Sequence, residues 1–455
     1  MFQITTNKTY NNLIHKLLLF KLVFIVSVLI AFYPIESLTI VSLLISLFLL
    51  YFFKRKFHTF INPVSFLFFI FIIGYIIRFY YLYHVENKMG ISNDFIVYSF
   101  IFSIILISVL VIGLIIGLNV RITKDYILNI KDNKFVFRII WFNAFISIGN
   151  VIFLLLYFGG PQNFIKLLSN RTENFLGLSW AFFGLCFLSI SILIFYANDM
   201  NILKYTKVKI LFLISIGLCL LTGSRMLIFL ILFSYIMIKE KHRKSNYSIK
   251  FFLKYGILFL IFYICYFAYF RVYLPTGSWN YFAANYKTLL INTIMNGGTS
   301  FLDGLGVVME NMPSNHHFLG GKTLFASITM VIPRSIFPNK PELGSAVYNY
   351  LFNHDQYLRG TGQNPSLFGE LYMNFGPFGT IILIFMIGIF LGLVFRYQRT
   401  TNNSIFFLLS VFLLPSLFLY LKSGFGTATF LRLLFPFFVN LILLYLLNKL
   451  KREVL

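Results

Sequence analysis

The sequence predicts an all-α polytopic membrane protein of about 12 transmembrane helices, with one large, partly helical external loop between spans 9 and 10. Three observations carry that prediction. Apolar residues make up 59% of the chain and charged residues only 11%, a balance that no water-soluble domain of this length sustains. Many stretches of about twenty residues are nearly free of charge, each enough to cross a hydrocarbon core of ~30 Å as a helix. Finally, most of the 38 Lys and Arg residues fall in alternate connectors, the positive-inside asymmetry that places both termini in the cytoplasm.

Taken in order, the first apolar stretch, 17–33, lacks a small-residue cleavage site and runs at once into 37–53. It reads as a retained helix and not as a removed signal peptide. Spans follow at 61–83, 95–118, 136–158 and 176–197. Two short apolar arms, 208–222 and 225–238, form a hairpin, and 251–270 completes the first nine. Spans at 377–395, 404–421 and 430–447 close the set, so that residues 1–455 form a single integral membrane domain. The basic connectors are the N-terminus, 54–56, 121–138, 204–209, 239–254, 396–399 and 449–452. The formal charge of +24 is therefore topological, and it is not the footprint of a nucleic-acid partner.

Cys186, Cys219 and Cys265 all lie inside predicted spans, with no CxxC pair and no HExxH or HxxxH spacing anywhere. Neither a disulfide framework, a metal site nor any other cofactor is expected.

The external loop, 272–375, is far longer than any other connector and collects Asp303, Glu310, His316, His317, Arg334, Glu342, His354, Asp355, Arg359 and Glu370. Its apolar stretch 323–332 is too short to cross and is expected to lie in the interface or re-enter partway. A short helix is expected over 342–352 after Pro341, and another after Asn364-Pro365, running through Glu370 toward Phe375. The whole reads as a helical lid over the membrane domain, suited to work on something presented at the outer face.

Chemistry concentrates at three places. Thr222-Gly223-Ser224-Arg225 tips the short hairpin, whose arms of roughly 22 Å leave the tip below the outer surface. An arginine there either snorkels to headgroups or meets an anion in a wet cavity. Arg359-Gly360-Thr361-Gly362-Gln363-Asn364-Pro365 is a glycine-flanked turn feeding a helix start, which is either an ordinary capped loop or an anion cradle. Glu370, the only acid in the apolar run 366–378, is placed to transfer a proton if buried, or simply to pair with an arginine. Arg78, Arg271 and Arg432 sit at or near span ends. Each alone is an interfacial anchor; together with Arg225, Arg334 and Arg359 they suggest cationic groups converging on a lipid-linked pyrophosphate.

Three of these pieces carry a resemblance: Leu221-Thr222-Gly223-Ser224-Arg225 between two short spans, Ile332-Pro333-Arg334-Ser335-Ile336-Phe337-Pro338-Asn339-Lys340-Pro341, and Asn364-Pro365-Ser366-Leu367-Phe368-Gly369-Glu370-Leu371-Tyr372-Met373-Asn374-Phe375-Gly376 running straight into a span. In this order and topology the chain resembles the Wzy-type O-antigen and capsule repeat-unit polymerases of bacteria. The resemblance implies a metal-independent glycosyltransferase of the bacterial cytoplasmic (inner) membrane, with a fold like the GT-C-like transferases of lipid-linked sugars. Its substrate would be an undecaprenyl-diphosphate-linked oligosaccharide, and undecaprenyl diphosphate would leave. Implied partners are membrane lipid, a separate flippase that delivers units, and a chain-length regulator. On this reading Arg225, Arg334 and Arg359 hold the pyrophosphate, with Arg271 and Arg432 behind them, and Glu370 serves as the catalytic base. Two alternatives stay open: a flippase or transporter of the same lipid-linked oligosaccharide, disfavoured by the lack of an internal repeat, and a related O-antigen ligase that shares the donor chemistry.

Overall fold

A computed structural model describes residues 35–57, 62–84, 90–120, 133–168, 181, 184–221, 225–243, 249–292, 295, 300–330, 332, 336–358, 363–400, 405–425 and 434–453. Among the described residues the secondary structure is helical, with no strand. Five helices are long and apolar enough to cross a membrane by length and composition: Glu36–Lys54, Pro63–His84, Asn93–Asn119, Val136–Tyr157 and Ser366–Arg396. Their outward side chains are apolar as well, with Phe145 and Phe378 each 81% exposed and Leu156 76%. Surface of that kind is stable against lipid and not against water. The remaining predicted spans with described residues are helices that do not reach that combination of length and apolarity, at Phe187–Asn198, Thr206–Leu220, Arg225–Arg243, Ile249–Phe267, Ile405–Ser423 and Phe435–Glu453. The predicted span 17–33 lies outside the described residues.

The chain divides into two compact units. One comprises Met1–Val120, Gly297–Gly320 and Phe368–Leu393. Within it, helix Pro63–His84 starts where a loop residue and proline dictate. Asn62 accepts from the Ser65 amide at 2.8 Å and donates to the Ser65 hydroxyl at 2.7 Å, while Pro63 occupies the first helical position, where no N–H is needed. A π-helical turn at Ile72–Ile76 interrupts this helix. Beside it, Asn93–Asn119 meets helix Ser366–Thr400 through facing glycines. A Cβ on Gly113 or Gly117 would run into the carbonyls of Phe385 or Ile389, and one on Gly388 or Gly392 into those of Leu110 or Leu114. Small residues repeated at four-residue spacing let backbones approach this closely.

Helix Phe301–Asn311 completes this unit, packed on Asn93–Asn119 and on Pro63–His84. It comes from the long connector, but it is not a surface element. Every residue from Phe301 to Val308 is buried, and the sequence reading did not anticipate a helix here.

The other unit comprises Arg121–Asn296, Gly321–Leu367 and Val394–Leu455. Its helices are tied by polar side chains. Asn143 donates to the Asn440 carboxamide oxygen at 2.8 Å, Ser147 donates to the Gly184 carbonyl at 2.8 Å, and Ser234 donates to the Val411 carbonyl at 2.9 Å. In hydrocarbon such groups have no water to turn to, so each finds a neighbouring helix. Leu154, Phe164 of the short helix Pro161–Leu167, Leu168, Ala181, Leu185 and Leu218 form an apolar cluster.

Three stretches of the long connector also fold in this unit. The apolar stretch forms helix Lys322–Thr329, with Thr323, Ala326 and Thr329 buried and Phe325 and Ile328 51% and 74% exposed. The helix expected from Glu342 begins instead at Gly344 and ends at Phe352. A short helix His354–Leu358 follows it.

Candidate functional site

Glu370 lies on the first part of helix Ser366–Thr400 and is completely buried. The start of that helix departs from the expected cap: Pro365 precedes a buried Ser366 held at φ 61°, a left-handed conformation that costs a non-glycine residue of order 1 kcal/mol. Three residues on, Gly369 faces Gly304 so closely that a Cβ would lie 3.1 Å from the Gly304 carbonyl carbon and oxygen. The two helices therefore touch backbone to backbone immediately beside Glu370.

The helix that carries Glu370 is not continuous with the spanning segment. Gly376 adopts φ 67° and ψ −168°, and Pro377 follows. Proline cannot donate to the carbonyl four residues back, which is Met373. The amide of Leu319 donates there instead at 3.0 Å, and the Gly320 amide donates to the Asn374 carbonyl at 2.9 Å. Asn374 in turn donates its side-chain amide to the Glu370 carbonyl at 2.7 Å. Tyr372 stands edge-on to both Phe318 and Phe102, with ring centroids 6.0 and 5.8 Å away. The acid is thus set in a short, fully braced segment.

A second charged group lies in the same unit. Arg78 donates through Nε to one carboxylate oxygen of Asp303 at 2.8 Å and through Nη2 to the other at 2.7 Å. Arg78 is 1% exposed and Asp303 2%. As a lone arginine near a span end, Arg78 reads as an interfacial anchor; the structure corrects this, because the guanidinium turns inward to a carboxylate 225 residues away. The Tyr75 ring meets both Phe301 and Phe368, at 5.7 and 5.4 Å. Helices Pro63–His84, Phe301–Asn311 and the Glu370 segment are thereby joined by an aromatic cluster as well. The available signal for Asp303 was an acid placed inside the run Phe301-Leu302-Asp303-Gly304-Leu305-Gly306-Val307-Val308, which is otherwise apolar or glycine.

Of the predicted arginines, Arg225 is the first residue of helix Arg225–Arg243, and Arg271 sits in the π-helical turn Ala268–Tyr273 that extends Ile249–Phe267. Only their backbones are described. Arg334, Arg359 and Arg432 lie outside the described residues. The chain flanking Arg334 and Arg359 is nevertheless visibly held. Lys340 donates its amino group to the Ile332 carbonyl at 2.7 Å. Asn349, 4% exposed, donates to the Gln363 carbonyl at 2.8 Å and accepts from the Gln363 amide at 3.0 Å. Tyr357 donates to Glu342 at 3.2 Å. Among the described residues no three His, Cys, Asp or Glu side chains gather as metal ligands.

Apolar helices of spanning length braced around buried charged groups point to a membrane protein, and comparison with known families says which kind. The model for O-antigen polysaccharide polymerase Wzy matches residues 12–453. The chain belongs to this family. Two curated relatives, the O-antigen polymerases of Salmonella typhimurium and Salmonella typhi, are each 34% identical to it over 105 residues. That stretch is 22% of this chain, and the match spans about a quarter of the relatives' length, 26%. No solved structure matches. With its apolar spanning helices, this member of the family is an integral membrane protein.

Proposed function

We propose that the protein polymerises undecaprenyl-diphosphate-linked oligosaccharide repeat units at the outer face of the bacterial cytoplasmic membrane, in the synthesis of a surface polysaccharide. The observation that carries this reading is the family match along residues 12–453. On this reading the chain is one membrane domain of about 12 spans with GT-C-like character, both termini lie in the cytoplasm, and the connector 272–375 works outside.

The reaction needs one bond made and one broken. A hydroxyl on the nonreducing-end sugar of an incoming unit attacks the anomeric carbon of the growing chain. The bond from that carbon to the diphosphate oxygen breaks, and undecaprenyl diphosphate departs. Negative charge grows on the leaving group, and preorganised guanidinium groups stabilise it without a metal. Arg225, Arg334 and Arg359 take that role, with Arg271 and Arg432 in support. The start of helix Arg225–Arg243 at the first of these favours an anion, because the first-turn amides of a helix have no intrahelical acceptor. Glu370 takes the proton of the attacking hydroxyl, a role that its burial supports. A flippase supplies the unit outside, and a chain-length regulator acts as partner.

Purified protein in lipid nanodiscs, given lipid-linked repeat units, should build polymer. Arg225→Ala and Arg334→Ala should each abolish chain growth with protein level and melting temperature retained. Near-normal polymer from both variants would remove the assignment of these arginines. Units that cross the bilayer but are never joined would instead identify a transporter.

A further inference from the structure

We propose that Arg78 and Asp303 are positioning residues for Glu370, fixing its segment in register and keeping the charge beside it balanced; the proposal rests on the polymerase reading above. The argument begins with what the pair does not do. An ion pair buried this deeply gains little net stability over apolar side chains of the same shape, because desolvation offsets the attraction. Its location supplies the role. Asp303 adjoins Gly304, Gly304 lies against Gly369, and Gly369 adjoins Glu370. A second set of contacts repeats the connection: Tyr75, three residues before Arg78, meets Phe301, two before Asp303, and Phe368, two before Glu370. The bidentate fork at 2.8 and 2.7 Å sets both the rotation and the height of helix Phe301–Asn311, and the glycine contact passes that setting to Glu370.

Charge balance is the other half. The buried titratable groups on the helices around Glu370 are Tyr75, Arg78, Tyr81, Asp303 and Tyr372. Asp94 and His84 are exposed and Glu310 is half-buried, near helix ends. Arg78 and Asp303 cancel one another. Removing either leaves one uncompensated charge in a medium that screens poorly.

The test is the pH dependence of turnover by the purified full-length protein with lipid-linked repeat units, measured for three variants. Asp303→Asn leaves Arg78 charged, which favours ionised Glu370, so the acid limb should move to lower pH by about one unit. Arg78→Met leaves the Asp303 carboxylate, and the limb should move the opposite way. In Arg78→Met/Asp303→Leu both charges are gone. The limb should return to its wild-type position while the turnover number stays at least tenfold down, because the register is lost; the melting temperature should stay close to wild type. A merely structural pair gives no opposed shifts. The proposal is overturned if the single variants shift the limb in the same direction or not at all, or if the double variant turns over as wild type does. A wild-type protein that makes no polymer overturns the polymerase reading itself, an outcome distinct from either.

Discussion

The amide of Leu319 donates to the Met373 carbonyl at 3.0 Å, the acceptor that Pro377 leaves unused in the helix. A segment of the long connector thus caps a helix whose own ladder is broken, and the break is what gives Glu370 a short segment of its own. Gly376 makes it possible. Its φ of 67° with ψ of −168° is a region that only glycine enters without strain. A Cβ there would also lie 2.9 Å from the Phe318 ring. Gly376→Ala should therefore lower stability by about 1–3 kcal/mol, seen as a lower melting temperature in detergent. Polymer yield should fall with it.

Glu370→Gln keeps the shape of the side chain and removes the proposed base. Turnover should drop by about 10²–10⁴-fold, with the affinity for the lipid-linked unit little changed. Single-turnover kinetics on the purified variant measures the loss, and a turnover within a few-fold of wild type would exclude the residue as the base.

The facing glycines of helices Asn93–Asn119 and Ser366–Thr400 should tolerate no side chain. Gly117→Leu or Gly392→Leu drives a branched group into opposing backbone and should cost well over ~2 kcal/mol or prevent folding. Gly149→Leu is the matched control, since nothing lies within 4 Å of a Cβ at that position. Fluorescence size-exclusion profiles should show aggregated or absent protein for the first two and a wild-type peak for the third.

Lys241, beyond the apolar stretch of helix Arg225–Arg243, stacks its amino group over the Phe407 ring at 3.7 Å. Burial lowers its pKa from 10.5 to about 8. The folded state therefore holds this proton less tightly than the unfolded state. Stability should rise as pH increases from about 8 to 10.5, where the unfolded chain binds the proton that the folded chain has released. Lys241→Met should raise the melting temperature at pH 7 and lose that advantage above pH 10.5. Melting curves across that range check the sign.

Much of this fold was legible in the sequence because membrane insertion writes itself in composition. Long charge-free runs and alternating basic connectors located helices such as Asn93–Asn119 and Val136–Tyr157 to within a few residues. Pro377 likewise marked the start of a span. The interruption at Gly376 was harder to see, since a glycine before a proline does not reveal which φ it takes. Helix Phe301–Asn311 was missed because its run of apolar residues and glycines lies inside a connector otherwise rich in polar groups, and its partner surface is far away in sequence. Glu370 stood out as the single acid in an apolar run. Arg78 was misread for the opposite reason: a cation near a span end has a cheap local solution in the headgroups, and only the fold reveals a carboxylate that competes with it.

The 225-residue separation between Arg78 and Asp303 also bears on how the protein is made. The ribosome delivers helix Pro63–His84 to the bilayer long before Asp303 exists, so for the 225 residues of synthesis between them the guanidinium lacks this carboxylate. It must wait near water or phosphate headgroups, and it is drawn inward only when the late-arriving segment is threaded among helices already inserted. Assembly of this core is accordingly a post-insertion event. A nascent chain released before Asp303 would leave helix Pro63–His84 shallow in the membrane, a natural mark by which quality control could tell unfinished copies from complete ones.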